Sequence, residues 1–493
     1  MATFEKFNQI QNQQSFVPTF THSKEISDYK NLVILLAQED VAQPPAFLQT
    51  TFKNEVFVQD FQKTSTVIYG TSEDKFQKAL VLFVKSKVAK DAFKSARTHL
   101  KKIVEIYRCQ ESINFYFSSN LDQTFLNEYV YGLFTENYQW QLKSQGEQEN
   151  KTIFHSVKNF NLVSANLHVE NPQFQYLTQV VKYQLYGKEL INTRANIANT
   201  EWMAQQAIQF QSNHSSKVQI EVIRGKQLLE KGLNLMHAVG RASTSEPILV
   251  VLSYKGNPEH PEDVTALVGK GVVYDCGGLS LKQSLTDCMH GDKGGACAVL
   301  SAFRGAVELG VKQNVVGTLA LVENMISGDA YRNSDIITTL KGLNVEVLNT
   351  DAEGRNILAD ALAYTQMNYK PKRVIDLATL TGACLVAVGL DTGAVFSNDE
   401  ELQWTLKKIS QDAHENLHPL PLTDWMRENI VSDQGDIRNL GKQPYGGAGT
   451  AAAFLEKFIE KGVQWAHFDI AQASMTKGEL LQVRTLIDFL RSL

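Results

Sequence analysis

Short apolar runs alternate with helical periodicities along most of this chain. In the first third, Leu32–Ala37, Val67–Tyr69, Ala79–Val84 and Ile113–Phe117 are continuous apolar stretches of the kind buried strands carry. Between the last two, Val88, Ala92, Phe93, Ala96, Leu100, Ile103, Val104 and Tyr107 recur at helical spacing. The opposite face holds Lys90, Lys94, Arg97, Lys101 and Lys102, which reads as a solvated helix face rather than a binding surface. A polar, Gln-rich lead of about twenty residues precedes the first run and is expected to be poorly ordered. Pro172–Leu190 reads as a connecting helix. Beyond it, strands are predicted at Ile248–Tyr254, Val272–Tyr274, Val315–Val322, Val345–Leu348, Val374–Ala378 and Ala466–Ile470. A helix opens at Gly294–Gly295 with Val299, Leu300, Phe303 and Val307 inward and Gly310 as its stop. The pattern is α/β throughout: a small N-terminal α/β domain over 1–168, a connecting helix over 169–190, and a larger α/β domain over 191–493. Its central sheet is expected to be mainly parallel and doubly wound, with the functional site beyond the strands' carboxyl ends.

Size and composition narrow the classes. A chain of 493 residues exceeds what one core supports, which agrees with two domains. A net charge of −5 and a pI near 6.2 leave no basic footprint for nucleic acid or an acidic membrane surface. No apolar run approaches the ~18 residues of a membrane span. The five cysteines, Cys109, Cys276, Cys288, Cys297 and Cys384, are odd in number and scattered, so no disulfide framework is implied and a reducing compartment fits. The first residues lack a charged-then-apolar signal pattern, and no arginine precedes Arg97. A cytoplasmic protein is expected.

Candidate chemistry gathers in two acidic stretches. In LNTDAEGRNILA, residues 348 to 359, Asp351, Glu353 and Arg355 stand at alternate positions between an apolar run and a helical pattern. In an extended segment they would converge on one side, at a strand end above a helix N-terminus. Paired carboxylates repel unless a cation lies between them. Alone, the stretch also reads as a solvated turn capping a helix. The second stretch, residues 268 to 296, holds Lys270, Asp275, Lys282 and Asp292 among Gly269, Gly271, Gly277, Gly278, Gly294 and Gly295. Glycine at that density permits close backbone approach. The odd spacing of Lys270 and Asp275 would place them on opposite faces of an unbroken strand, so a bulge or a strand end is expected between them. Spacing does not choose between Asp287 and Asp292.

These stretches resemble the signature regions of the leucyl aminopeptidase family, hexameric dinuclear-zinc exopeptidases. NTDAEGR, that family's most diagnostic string, stands unbroken at Asn349–Arg355. The resemblance extends over Glu323–Arg332, Val374–Cys384, Ala394–Asp399, Gly446–Leu455 and Trp465–Ala471, in order, and so over nearly all of residues 188 to 490. It implies a metal-dependent aminopeptidase that releases N-terminal amino acids from short peptides. It implies two divalent metals per chain shared by Lys270, Asp275, Asp292, Asp351 and Glu353: zinc or manganese, with magnesium and cobalt also compatible. Four carboxylates balance two such ions, so a neutral Lys270 amine fits the fifth place. Lys282 would stabilise the oxyanion, and Arg355 would hold a bicarbonate acting as general base. Leu380 and Gly382 would present backbone groups to the bound peptide. The resemblance further implies a homo-hexamer, a dimer of trimers with the catalytic domains about the threefold axis.

Several positions depart from the family pattern. Cys276 and Lys293 replace the usual serine and methionine, and the link from Lys282 to Asp292 is one residue shorter. Arg332–Asp335 replaces a Pro-Gly turn, Lys477–Leu481 replaces a small-residue loop, and a proline is missing from Asn192–Asn196. None removes a metal ligand. The leucine preference and the pocket for the N-terminal side chain are what they put in question. His290 and Cys276 read as neighbours of ligands rather than ligands, and the absence of HExxH disfavours a single-zinc protease. A catalytically silent assembly protein and a nucleic-acid scaffold are the alternative classes. The intact ligand set weighs against the first and the acidic charge against the second.

Overall fold

The computed structural model describes residues 19–24, 31–37, 40, 65–69, 78–107, 112–140, 153–155, 157 and 159–493. Nearly all of the Gln-rich lead, residues 1–18, lies outside the described residues. The chain divides into two compact units, Met1–Leu185 and Tyr186–Leu493, and the division falls inside the helix Pro172–Asn192.

The first unit is built on β1 (Thr19–Ser23), β2 (Leu32–Ala37), β3 (Ser65–Tyr69), β4 (Lys78–Val84), β5 (Ser112–Phe117), a short pair β6 (Tyr138–Trp140) and β7 (Ile153–His155), and β8 (Asn159–Val163). Six strands form one sheet in the order β1-β8-β5-β2-β4-β3, parallel except for the β3–β4 pair. β2 is central and wholly buried, which is why its sequence is apolar without alternation. β1 and β8 escaped the sequence reading because polar side chains bind them to the sheet. Thr21 Oγ1 donates to Asn161 Oδ1 at 2.7 Å, and Asn161 Nδ2 donates to Asn114 Oδ1 at 2.9 Å. The predicted amphipathic helix spans Ala89–Ile106 and buries Ala92, Ala96, Leu100 and Ile103. Val88, assigned to that face, is exposed at the helix entrance.

The second unit contains β9 (Val218–Arg224), β10 (Ile248–Lys255), β11 (Val264–Asp275), β12 (Asn314–Asn324), β13 (Ile336–Thr338), β14 (Asn344–Glu346), β15 (Arg373–Ala378), β16 (Gly393–Ser397), β17 (Leu417–Pro419), β18 (Ile437–Arg438) and β19 (Gln464–Asp469). Its large sheet runs β17-β16-β19-β15-β11-β12-β10-β9. The centre, β19-β15-β11-β12, is parallel, whereas β16 pairs antiparallel with β19 and β10 antiparallel with both β12 and β9. The sheet is thus mixed but mainly parallel, as expected, since the edge pair β16–β17 is parallel as well. The strand expected at Val345–Leu348 is shorter and belongs to a separate sheet, β13-β14-β18.

Strand β11 decides where the site forms. Its alternation sends Gly269 and Gly271 toward the helix Gly294–Glu308 and Lys270 the other way. A Cβ added at Gly269 would lie 2.6 Å from Gly295 O, and one added at Gly295 would lie 2.0 Å from Leu377 O. Only glycine lets that helix start so near the sheet. On Lys270's side a second helix, Glu353–Tyr369, packs Ile357, Leu358, Ala361 and Leu362 into a core with Val268, Val272 and Val322.

Candidate active site

Five residues are brought together from four segments. Lys270 and Asp275 stand on β11, and the register of β11 with β12 shifts between Val272 and Asp275, the irregularity expected from their odd spacing. Asp292 follows the 3-10 turn Thr286–Gly291 and precedes the helix Gly294–Glu308. Asp351 lies in a turn, and Glu353 is the first residue of the helix Glu353–Tyr369. This corrects the expected strand alternation. The helix begins before Ile357, so Glu353 and Arg355 are helical neighbours rather than residues on one side of an extended segment. Asp351 and Glu353 still meet, because the turn folds one onto the other.

Carboxylate oxygens of Asp275, Asp351 and Glu353 all lie within 4.8 Å of one another. Lys270 Nζ lies 2.9 Å from both oxygens of Asp292 and 2.9 Å from Glu353 Oε1, and it donates to Thr379 O at 2.9 Å. Lys282 Nζ stands 2.8 Å from Asp275 Oδ2 and 2.6 Å from Asp351 Oδ1. It therefore sits among the same carboxylates and not apart from them. Asp287, the alternative to Asp292, is exposed, while Asp292 is buried.

The electrostatics are those of a cluster short of positive charge. Burial alone would lower the Lys270 and Lys282 ammonium groups, but Asp292 and Glu353 for the first, and Asp275 and Glu353 for the second, hold both above their ordinary range. Burial pushes Asp292 up to about 8, and burial likewise raises Asp275 and Asp351. Two ammonium groups face four carboxylates, and the carboxyl groups answer the remaining repulsion by favouring protons. Divalent cations would answer it instead, and an all-oxygen set with one amine suits hard or borderline ions. Asp275, Asp351 and Glu353 are grouped closely enough to hold such an ion.

Arg355 is buried, and its Nε and Nη1 have no hydrogen-bond partner among the described residues. Burial lowers it to about 10, against Glu353 and Asp469. A guanidinium with unmatched buried N–H groups is suited to a small oxyanion such as bicarbonate. Leu380 is partly buried, and its amide donates to Asp469 Oδ1 at 3.1 Å. Gly382 opens the helix Gly382–Val388, is exposed, and has nothing within 4 Å of where a Cβ would stand. His290 is engaged by Arg194, and burial lowers it to about 4. Cys276 is buried, and burial raises its thiol.

Sequence reasoning missed the groups that orient these side chains. Asn324 Nδ2 donates to Asp275 Oδ1 at 2.8 Å, and Thr379 Oγ1 donates to Asp292 Oδ1 at 2.8 Å. Asp469, at the end of β19, accepts from Leu380 N and Thr381 Oγ1 and so fixes the turn after β15. Each sits at the carboxyl end of a central strand, and that placement was the available signal.

Comparison with known proteins places the chain in a family. Residues 186–486 match the family model described as "Cytosol aminopeptidase family, catalytic domain". A leucyl aminopeptidase from Trypanosoma cruzi, solved in its apo form, is similar in structure with a TM-score of 0.79 and 25% sequence identity, covering 99% of this chain and 96% of that one. The match takes in β9 through β19 and every candidate site residue from Lys270 to Gly382, and the chain belongs to the cytosol aminopeptidase family.

Proposed function

We propose that this aminopeptidase is metal-dependent and removes N-terminal residues from short peptides. The observation that supports it most is the grouping of Asp275, Asp351 and Glu353 within 4.8 Å, with Asp292 and Lys270 adjoining. Asp275, Asp292, Asp351, Glu353 and Lys270 would hold two divalent ions, zinc or manganese, and the charge balance assigns Lys270 its neutral form there. Such ions, when bound, supply Lewis acidity that activates water, holds a free α-amine and polarises a carbonyl.

The chain's own residues do the rest. Lys282, with 18% of its side chain exposed against 3% for Lys270, is the lysine that divalent ions would displace from the carboxylates. Its charge then meets the carbonyl oxygen as negative charge develops on it. Arg355 would hold bicarbonate through its unmatched N–H groups, and bicarbonate when bound is a general base. Asp469 takes the Leu380 amide and so fixes the turn whose backbone groups, at Leu380 and Gly382, would meet a peptide, and the position of a Gly382 Cβ is open space.

A homo-hexamer built as a dimer of trimers, and a cytoplasmic location, complete the proposal. No helix among the described residues is long and apolar enough to cross a membrane. The test is turnover of a panel of aminoacyl reporters by the purified chain, before and after chelation and with manganese or zinc returned. Activity that chelation abolishes and metal restores is expected. Turnover indifferent to chelation, with no metal in the protein, overturns the reading.

A further inference from the structure

Lys293 is wholly buried, at 0% exposure. Its amine donates to Thr193 O at 2.9 Å, to Ile191 O at 3.2 Å and to His290 O. No carboxylate among the described residues forms an ion pair with it. Three acceptors call for three N–H groups; a neutral amine has two, so the matching species is the ammonium. The acceptors come from two segments. Ile191 and Thr193 stand at the C-terminus of the helix Pro172–Asn192, and His290 lies in the turn Thr286–Gly291 that leads into Asp292. Carbonyls at helix C-termini lack intrahelical partners and carry the negative end of the helix dipole. A positive group placed among them satisfies both needs. The turn is also confined on its other side, since a Cβ at Gly291 would lie 2.9 Å from Ser474 Cα.

We propose that Lys293 is a positioning residue whose ammonium serves as a tethered cation: it draws the end of the Pro172–Asn192 helix to the Thr286–Gly291 turn and thereby holds Asp292 in the carboxylate cluster, and a small free cation takes its place when the side chain is removed. The proposal goes beyond the function above and rests on it only for the turnover readout.

The experiment uses the full chain in buffers whose only monovalent cation is tetramethylammonium, which is too large for the site and has no N–H. Lys293→Ala leaves room for a cation, and Lys293→Met fills the space without charge. Melting temperature, manganese retained after dialysis and turnover are measured, then repeated with potassium, ammonium or methylammonium added. In tetramethylammonium, Lys293→Ala is expected to melt lower than the wild type and to lose about 10–100-fold in manganese affinity and turnover. A small cation should restore all three toward the wild type, while the wild type stays indifferent to the exchange and Lys293→Met stays impaired. The proposal is overturned if either variant matches the wild type in tetramethylammonium. It is equally overturned if no small cation reverses the loss in Lys293→Ala, failure to fold in every buffer included. A wild type without turnover would sink the metallopeptidase reading, and the melting data would still decide the role of Lys293.

Discussion

Lys270 and Gly354 are in direct contact: a Cβ at position 354 would fall 2.7 Å from Lys270 Cε and 2.8 Å from its Cδ and Nζ. The glycine at the start of one helix is therefore part of the wall that places a lysine of the adjacent strand. Gly354→Ala should push the Lys270 side chain off Asp292 and Glu353. We expect a stability loss of ~1–3 kcal/mol from overpacking and a marked fall in turnover. Thermal melting and reporter hydrolysis check both, and unchanged values would mean that the lysine tail yields without cost.

Removal of a carboxylate from the centre of the cluster should be more severe. Asp275→Ala or Glu353→Ala is expected to lower activity by more than the ~10–100-fold that loss of an orienting partner costs. Metal analysis should show less bound metal in the same samples. Full activity with a full metal complement in either variant would undo the ligand assignment.

Lys282→Ala separates binding from turnover. On the proposal that the Lys282 charge meets the oxyanion as it develops, kcat should drop by ~10²–10³ with KM and metal content little changed. Metal loss in step with rate would make Lys282 a ligand instead.

Acid should weaken the first unit through His99. This ring is buried beside Tyr129 OH at 2.8 Å, and burial lowers it to about 4 from an ordinary 6.5. Between those values the unfolded chain binds a proton that the folded chain does not, so stability falls as pH falls through this window. The loss between pH 7 and pH 5 should be about 2 kcal/mol from this group. Denaturant midpoints at the two pH values measure it. His99→Gln, which cannot titrate, should show a correspondingly smaller pH dependence.

Assembly is checked by mass. Light scattering should report about six times the 55.1 kDa chain mass for the proposed hexamer. A monodisperse monomer that cleaves dipeptides would remove the hexamer from the proposal.

The sequence by itself determined the α/β alternation, the position of β2, β4, β10 and β15, and the two stretches from which the acidic cluster is drawn. Those features rest on local signals: uninterrupted apolar runs for doubly covered strands, and motif strings such as Asn349–Arg355 whose order survives in the chain. Only the tertiary structure decided the rest. It placed Glu353 and Arg355 on a helix rather than a strand, a helix whose Ile357 and Leu358 share one core with Val268 and Val272. It chose Asp292 over Asp287 by burying one and exposing the other, a choice that spacing cannot make. It recruited Asn324, Thr379 and Asp469 through hydrogen bonds between strands far apart in sequence. It also turned Lys293 onto three carbonyls from two helix ends. Periodicity reports which face of an element is buried. Which polar groups meet there depends on the register and stacking of distant segments, and no local pattern encodes that.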